Sequence, residues 1–167
     1  GTYRARRTGQ AVTLRPRLDL QVAREQLSMR GYAPPPAMVH ALGGFRPRRV
    51  LDLGANIGLF ALSCVARDPA VHVVAVEPDP ANQVLLRRNV EQNDLCGSID
   101  VVAAAAGTSR GHIRFAAGMQ ELSHSLPDGA AGGIVVELLD VFDVAAGHDF
   151  VNLDIEGGEW PILRDPR

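Results

Sequence analysis

Residues Val50 to Leu62 read VLDLGANIGLFAL. An apolar run closes on the acidic Asp52. A turn bracketed by Gly54 and Gly58 follows, with Asn56 at its middle, and then a second apolar run with helical spacing. That order predicts a buried strand, a tight turn and a helix. The turn then lies at the carboxyl end of a strand, where open α/β sheets bind their ligands. Glycine at 54 and 58 would let a ligand approach the main chain without meeting a Cβ. The segment points to a nucleotide-like cofactor.

The same alternation continues outward. Val71–Val76 (VHVVAV) predicts a second strand ending at Glu77, and Asp79 with Pro80 caps a helix running to about Gln92. Ile99–Ala103 predicts a third strand, His112–Phe115 and Ile134–Leu138 a short pair, and Phe150–Ile155 (FVNLDI) a further buried strand before a helix at Glu159–Leu163. Strands that are apolar almost throughout, alternating with helices, give the α/β class: a doubly wound, mostly parallel sheet covered on both faces. The chain stops after the fourth main strand, which leaves an apolar strand at an exposed edge. The expectation is a truncated sheet, with further chain, a second copy or another partner covering that edge.

Residues 1–44 read as an N-terminal arm and lead-in helix, and 45–167 as the cofactor-binding domain. Tyr32-Ala-Pro-Pro-Pro36 is a stiff lead-in to a short helix through Met38, Val39 and Leu42, which Gly43-Gly44 stops. Arginines 4, 6, 7, 15 and 17 make a solvated arm.

With 167 residues and 46% hydrophobic content the chain supports one globular core. No apolar run reaches the about 20 residues of a membrane span, and the start, GTYRARRTGQ, lacks a signal-peptide core. The expected location is the cytoplasm, with no membrane partner. All 17 basic residues are arginine, which excludes a Schiff-base or P-loop lysine within these residues. The same bias matches the codon usage of a high-GC bacterium. A net charge of −2 gives no footprint for nucleic acid. Cys64 and Cys96 form no CxxC, so neither a disulfide framework nor a zinc site is expected, and Cys64 reads as a small core residue.

Glu77 ends the strand beside the one that Asp52 ends, where a carboxylate can accept both hydroxyls of a ribose. The middle glycine of GxGxxG is replaced by Asn56, which disfavours a pyrophosphate. Asp52 would repel a phosphate but attract an ammonium. S-adenosylmethionine combines ribose, adenine, sulfonium and ammonium without a phosphate.

These residues resemble a known family. Asp52-Leu-Gly54-Ala-Asn56-Ile-Gly58 is similar to motif I of class I S-adenosylmethionine-dependent methyltransferases, with a Rossmann-like fold. Val76-Glu77-Pro78, then LLRRNVEQNDL, is similar to the stretch that follows it, and Asp154-Ile-Glu156-Gly157-Gly158-Glu159 narrows the likeness to the FkbM family. The resemblance implies that Asp52, Gly54 and Gly58 line the methionyl end of the cofactor and that Glu77 holds the ribose. Asn56 contacts the cofactor or only stabilises the turn. Ala104 and Ala105 pass near the adenine or only pack. Many family members carry lysine where this chain has Asn152.

The resemblance also implies O-methylation of a hydroxyl on a small molecule, such as a sugar or a polyketide-type natural product. The acceptor must be aligned and its proton removed. Asp154 is the expected general base or orienting group. Glu156, two residues on, positions substrate or turn, or caps the next helix. His124, in the Ser123-His124-Ser125 loop, is a second candidate base. The two carboxylates could also hold a divalent metal, but with no third ligand identified none is assigned. Trp160 reads as a core or interface residue. The rivals are an NAD-linked oxidoreductase, which lacks its glycine motif, and a non-catalytic binding or scaffold domain derived from a methyltransferase.

Overall fold

The central sheet has four parallel strands in the order β5-β4-β3-β9. It comes from a computed structural model that describes residues 1–6, 8–15, 19, 23, 44, 46–117 and 133–167. In chain order the elements are β1 (Thr2–Arg4), β2 (Ala11–Thr13), β3 (Arg49–Leu53), α1 (Leu59–Arg67), β4 (His72–Val76), α2 (Pro80–Glu91), β5 (Ile99–Val102), β6 (Ala105–Gly107), β7 (Gly111–Phe115), β8 (Ile134–Asp140), α3 (Val141–Ala145), β9 (Phe150–Leu153) and α4 (Glu159–Leu163). The expected lead-in helix at 36–42 and the loop carrying His124 lie outside the described residues.

Period-two alternation divides each central strand between two cores. Val50, Val73, Ala75 and Ile99 pack with Ala61 and Val65 of α1 and Leu86 and Val90 of α2. Leu51, Leu53 and Val76 pack on the opposite face with Val141 of α3 and Ile162 of α4. Both faces are therefore covered, which explains why β3 and β4 are apolar along nearly their whole length. The chain adopts the expected α/β fold, a doubly wound parallel sheet. A three-stranded sheet, β6-β8-β7, stands beside it, with β7 antiparallel and β6 parallel to β8.

The α2 start follows its sequence closely. Asp79 Oδ1 accepts from Ala81 N at 2.8 Å, and Pro80 fills the first helical position, where a missing N–H costs nothing. Cys64 is half-buried against the first core, and burial pushes its thiol up to about 12. In contrast, β9 is shorter than expected and half-exposed. It ends at Leu153, and Phe150 and Val151 are 40% and 38% exposed because β9 is the edge of the sheet. Phe150 turns its ring onto Phe60 of α1, with centroids 6.3 Å apart.

The arginine-rich start is more ordered than expected of a solvated arm. β1 and β2 form an antiparallel hairpin. Val12 and Leu14 are buried with Ile57 and Leu59. The outer edge of β2 pairs with side chains of α2 and of the turn that follows it, in place of another strand. Asn93 Oδ1 accepts from Ala11 N at 2.8 Å, and Asn93 Nδ2 and Gln92 Nε2 donate to Ala11 O at 2.7 and 2.9 Å. Asn89 is the buried centre of this seam. Its Oδ1 accepts from Thr13 N at 2.6 Å, and its Nδ2 donates to Thr13 O at 3.1 Å and to Ile57 O, inside the glycine turn, at 2.8 Å.

Asn89→Leu keeps the side-chain volume but leaves these buried backbone groups without partners. Each such loss costs about 1–3 kcal/mol, so the expected fall in unfolding free energy is about 3–5 kcal/mol. The check is the urea midpoint of the variant. A midpoint within error of wild type would mean that the seam contributes nothing.

Candidate functional site

Alternation along β3 sends Leu51 and Leu53 to one face and Val50 and Asp52 to the other, beneath α1. Asp52 is fully buried. Its register partner on β9 is Asn152, whose Nδ2 donates to Asp52 Oδ1 at 2.9 Å. Asp52 Oδ2 has no hydrogen-bond partner among the described residues. Burial pushes the carboxyl up to about 7. The Asn152 hydrogen bond opposes this rise, and the nearby charges of Asp154 and Glu77 add to it.

The turn after β3 is anchored on the end of β4. Gly54 N and Ala55 N both donate to Val76 O, at 3.0 and 2.9 Å. Gly54, Asn56 and Gly58 have φ of +83°, +51° and +87°. The glycines serve a different neighbour from the one expected. A Cβ on Gly54 would land on the Asp154 carbonyl, and one on Gly58 would strike Leu86 Cδ1, so both positions are closed by the protein itself. Asn56 takes the left-handed position that asparagine tolerates better than most residues. Its Oδ1 is buried and also lacks a partner among the described residues. The turn therefore uses Asn56 for its conformation and leaves its amide oxygen over.

Glu77 follows β4 and is buried. Its Oε2 accepts from Asn56 N at 2.8 Å, which ties it to the turn. Its Oε1 accepts from Asp79 N at 2.9 Å and from Asn82 Nδ2 at 3.3 Å. Burial raises its pKa, and these three hydrogen bonds pull it back. Asp52, Asn56 and Glu77 thus meet at the carboxyl ends of β3 and β4, as their positions in sequence suggested.

Other expected site residues are placed differently. Ala104 has no exposed surface and packs in the second core, and Ala105 is buried in β6. Neither offers a face to a ring, whereas Ala103, just past β5, is exposed. Asp154 is exposed and continues the register by one bond, its N donating to Leu53 O at 3.0 Å. Glu156 is exposed at φ +55°, beyond the end of β9, so the shared face expected for residues two apart on a strand does not extend to it. Glu159, the first residue of α4, accepts from Ile155 N and Gly157 N, both at 2.9 Å, and so ties down the loop ahead of the helix. Trp160 is 63% exposed, not in the core, and the Arg164 guanidinium lies 5.3 Å from its ring centroid. Among the described residues no group of three His, Cys, Asp or Glu could hold a metal ion.

Reading residue by residue missed Asn82, and it marked Asn152 only as the place of the family's lysine and Glu159 only as the lead of a helix. The signal for Asn152 is register: Val50 aligned with Phe150 puts 152 beside 52.

With this geometry in place, a family profile described as the methyltransferase FkbM domain matches residues 52–167. The chain belongs to the FkbM methyltransferase family. A curated relative, 31-O-demethyl-FK506 methyltransferase FkbM of Streptomyces tacrolimicus, is 30% identical over 112 residues, covering 67% of this chain and 42% of that protein. A protein named adenosine deaminase, of Erwinia tasmaniensis, is 30% identical over 128 residues, 70% of this chain and 36% of its own length. The solved methyltransferase domain of delta-N METTL16 shares 22% identity over 59% of this chain and 42% of its own, with a TM-score of 0.45. This FkbM chain spans less than half the length of the curated relatives it matches. No helix among its described residues is long and apolar enough to cross a membrane.

Proposed function

We propose that the chain binds S-adenosylmethionine at the ends of β3 and β4 and serves methyl transfer to a hydroxyl of a small molecule. The observation that carries this reading is the pair of buried carboxyls, Asp52 and Glu77, on either side of the glycine turn. Two buried acceptors there, Asp52 Oδ2 and Asn56 Oδ1, have no partner among the described residues. Buried polar groups normally find partners, and these are acceptors, so the fitting ligand brings donors and positive charge. The ammonium and ribose hydroxyls of S-adenosylmethionine are such groups. When bound, it supplies an electrophilic methyl group on a sulfonium.

In this reading Asp52 holds the ammonium and Glu77 accepts from the ribose hydroxyls. Gly54 and Gly58 shape the turn, and Asn56 Oδ1 accepts a further donor. The exposed end of β5 at Ala103 is a better neighbour for the adenine than Ala104 or Ala105. Asp154, exposed beside the turn, takes the acceptor's proton or orients its hydroxyl. The acceptor is a sugar or polyketide-type alcohol by family likeness, and His124 remains a second candidate base.

The deciding experiment is calorimetric titration of the chain with S-adenosylmethionine. Micromolar affinity is expected. A folded sample that shows no heat would sink the cofactor assignment. Adenosine run alongside should release no ammonia, and steady release would favour the chemistry in the deaminase's name instead. With an acceptor in hand, Asp154→Asn should keep the cofactor affinity and lower turnover by about 100-fold or more. Turnover within twofold of wild type would remove Asp154 from proton transfer. Cofactor affinity without transfer to any hydroxyl would support the non-catalytic reading.

A further inference from the structure

Arg15 lies ahead of the stretch that the family profile matches, yet it is joined to Glu77 through one side chain. Its Nη2 donates to Asn82 Oδ1 at 2.8 Å, and Asn82 Nδ2 donates to Glu77 Oε1 at 3.3 Å. Asn82 is buried on α2. A guanidinium has only donors and a carboxylate only acceptors. The Asn82 amide therefore has a single orientation that satisfies both neighbours, oxygen toward Arg15 and nitrogen toward Glu77. Arg15 is fixed in turn by the buried Asp19. The carboxylate of Asp19 accepts from Arg15 N at 2.6 Å and pairs with Arg15 Nη2 at 2.7 Å.

We infer that Arg15 and Asn82 are positioning residues for Glu77, so that the segment after the N-terminal hairpin sets the carboxylate that would bind the ribose. The inference rests on the cofactor reading for its function but not for its geometry. Asn82 is the one side-chain donor among the three hydrogen bonds that lower the pKa of Glu77; the other two come from the backbone of Asn56 and Asp79. Two acidic groups face Glu77: Asp79, whose charge favours its neutral form, and Asp52, whose own carboxyl the Glu77 charge pushes up. An amide fixed by a guanidinium opposes them. It keeps Oε1 in one place, which two ribose hydroxyls require of a shared acceptor.

The test uses Asn82→Leu, Arg15→Met and the double variant. In the free protein, the carboxyl carbon of Glu77 is titrated by NMR. Asn82→Leu should raise the midpoint, Arg15→Met should raise it less, and the double variant should match Asn82→Leu alone. Calorimetry with S-adenosylhomocysteine should then show about tenfold weaker binding for Asn82→Leu and about threefold for Arg15→Met. Adenosine, which carries the ribose, should lose the same factors. An unchanged Glu77 midpoint, or an Arg15 effect of equal size in the Asn82→Leu background, would overturn the inference. If Asn82→Leu does not fold, Arg15→Met, made at a partly exposed side chain, decides by the same midpoint. If the midpoints shift as expected while wild type binds neither probe, the positioning stands and the cofactor reading falls.

Discussion

Gly54→Ala is expected to lower the unfolding free energy by about 3 kcal/mol or more and to abolish affinity for the proposed cofactor. Two effects add. The residue sits at φ +83°, a left-handed backbone that costs an L side chain about 1–2 kcal/mol. The new Cβ would also overlap the backbone carbonyl of Asp154. That carbonyl cannot rotate away as a side chain would, because it shares a peptide plane with Ile155 N, which donates to Glu159 Oε1 at 2.9 Å, and Asp154 N is bonded to Leu53 O. Relief requires prising β9 from β3 at the point where the candidate base leaves the sheet. Gly147→Ala is the matched control, with φ +82° and nothing within 4 Å of the added Cβ. It should cost only the conformational part, about 1 kcal/mol. Urea unfolding of the two variants separates the terms. Equal losses would mean that the close approach at Gly54 carries no weight.

Asp52→Asn should stabilise the unliganded chain at pH 8 and flatten its stability profile. The folded carboxyl titrates at about 7, against 3.8 for the ordinary side chain. Between those values the folded state holds a proton that the unfolded state has lost. Stability linked to Asp52 is therefore fully present below about pH 4, falls as pH rises, and is lost above about pH 7. At the alkaline end the difference is on the order of 4 kcal/mol.

Asparagine has no charge to bury, so the variant should lack this slope. Subtracting its profile from that of wild type isolates Asp52 from Glu77, whose raised pKa acts in the same direction, and from Asp140, Asp149 and Asp165, whose lowered values act oppositely. Parallel profiles for the two proteins would remove Asp52 as a buried titrating group. The same asymmetry predicts that a cationic ligand binds more tightly as pH rises toward 7, releasing a proton below it. Asn152→Lys, which brings an ammonium beside Asp52, should lower the Asp52 midpoint and weaken that pH dependence.

Much of the fold could be read along the chain. α1 and α4 lie on the residues that helical spacing marked, and the Asp79-Pro80 cap and the four central strands appear within one or two residues of expectation. These elements are legible because burial on both faces forces apolar runs and because a cap or a glycine turn is a local event. Among candidate site residues, the positions of Asp52, Asn56 and Glu77 were legible for the same reason, since Asp52 is next to last in β3, Asn56 lies in the turn after it and Glu77 follows β4. The readings left open share a cause. Ala104 stood between adenine contact and packing, Glu156 between a face shared with Asp154 and a cap, and Trp160 between core and interface, and each depended on where a strand stops or what covers it. The β1–β2 hairpin left no periodic signal because its edge is completed by asparagine and glutamine side chains at the end of α2 and in the turn after it.

The order of residues alone determined an α/β sheet, a glycine turn after β3, acidic residues at two strand ends and membership in a recognisable family. Local backbone preference and the burial of apolar runs suffice for that. Only the tertiary structure decided why Gly54 and Gly58 must be glycine, that Asn152 faces Asp52, and that Arg15 reaches Glu77 through Asn82. The Arg15–Asn82 and Asn152–Asp52 contacts join residues 67 and 100 positions apart. They exist because parallel pairing and helix docking bring distant strand ends together, and nothing in the local sequence encodes which atoms will then meet.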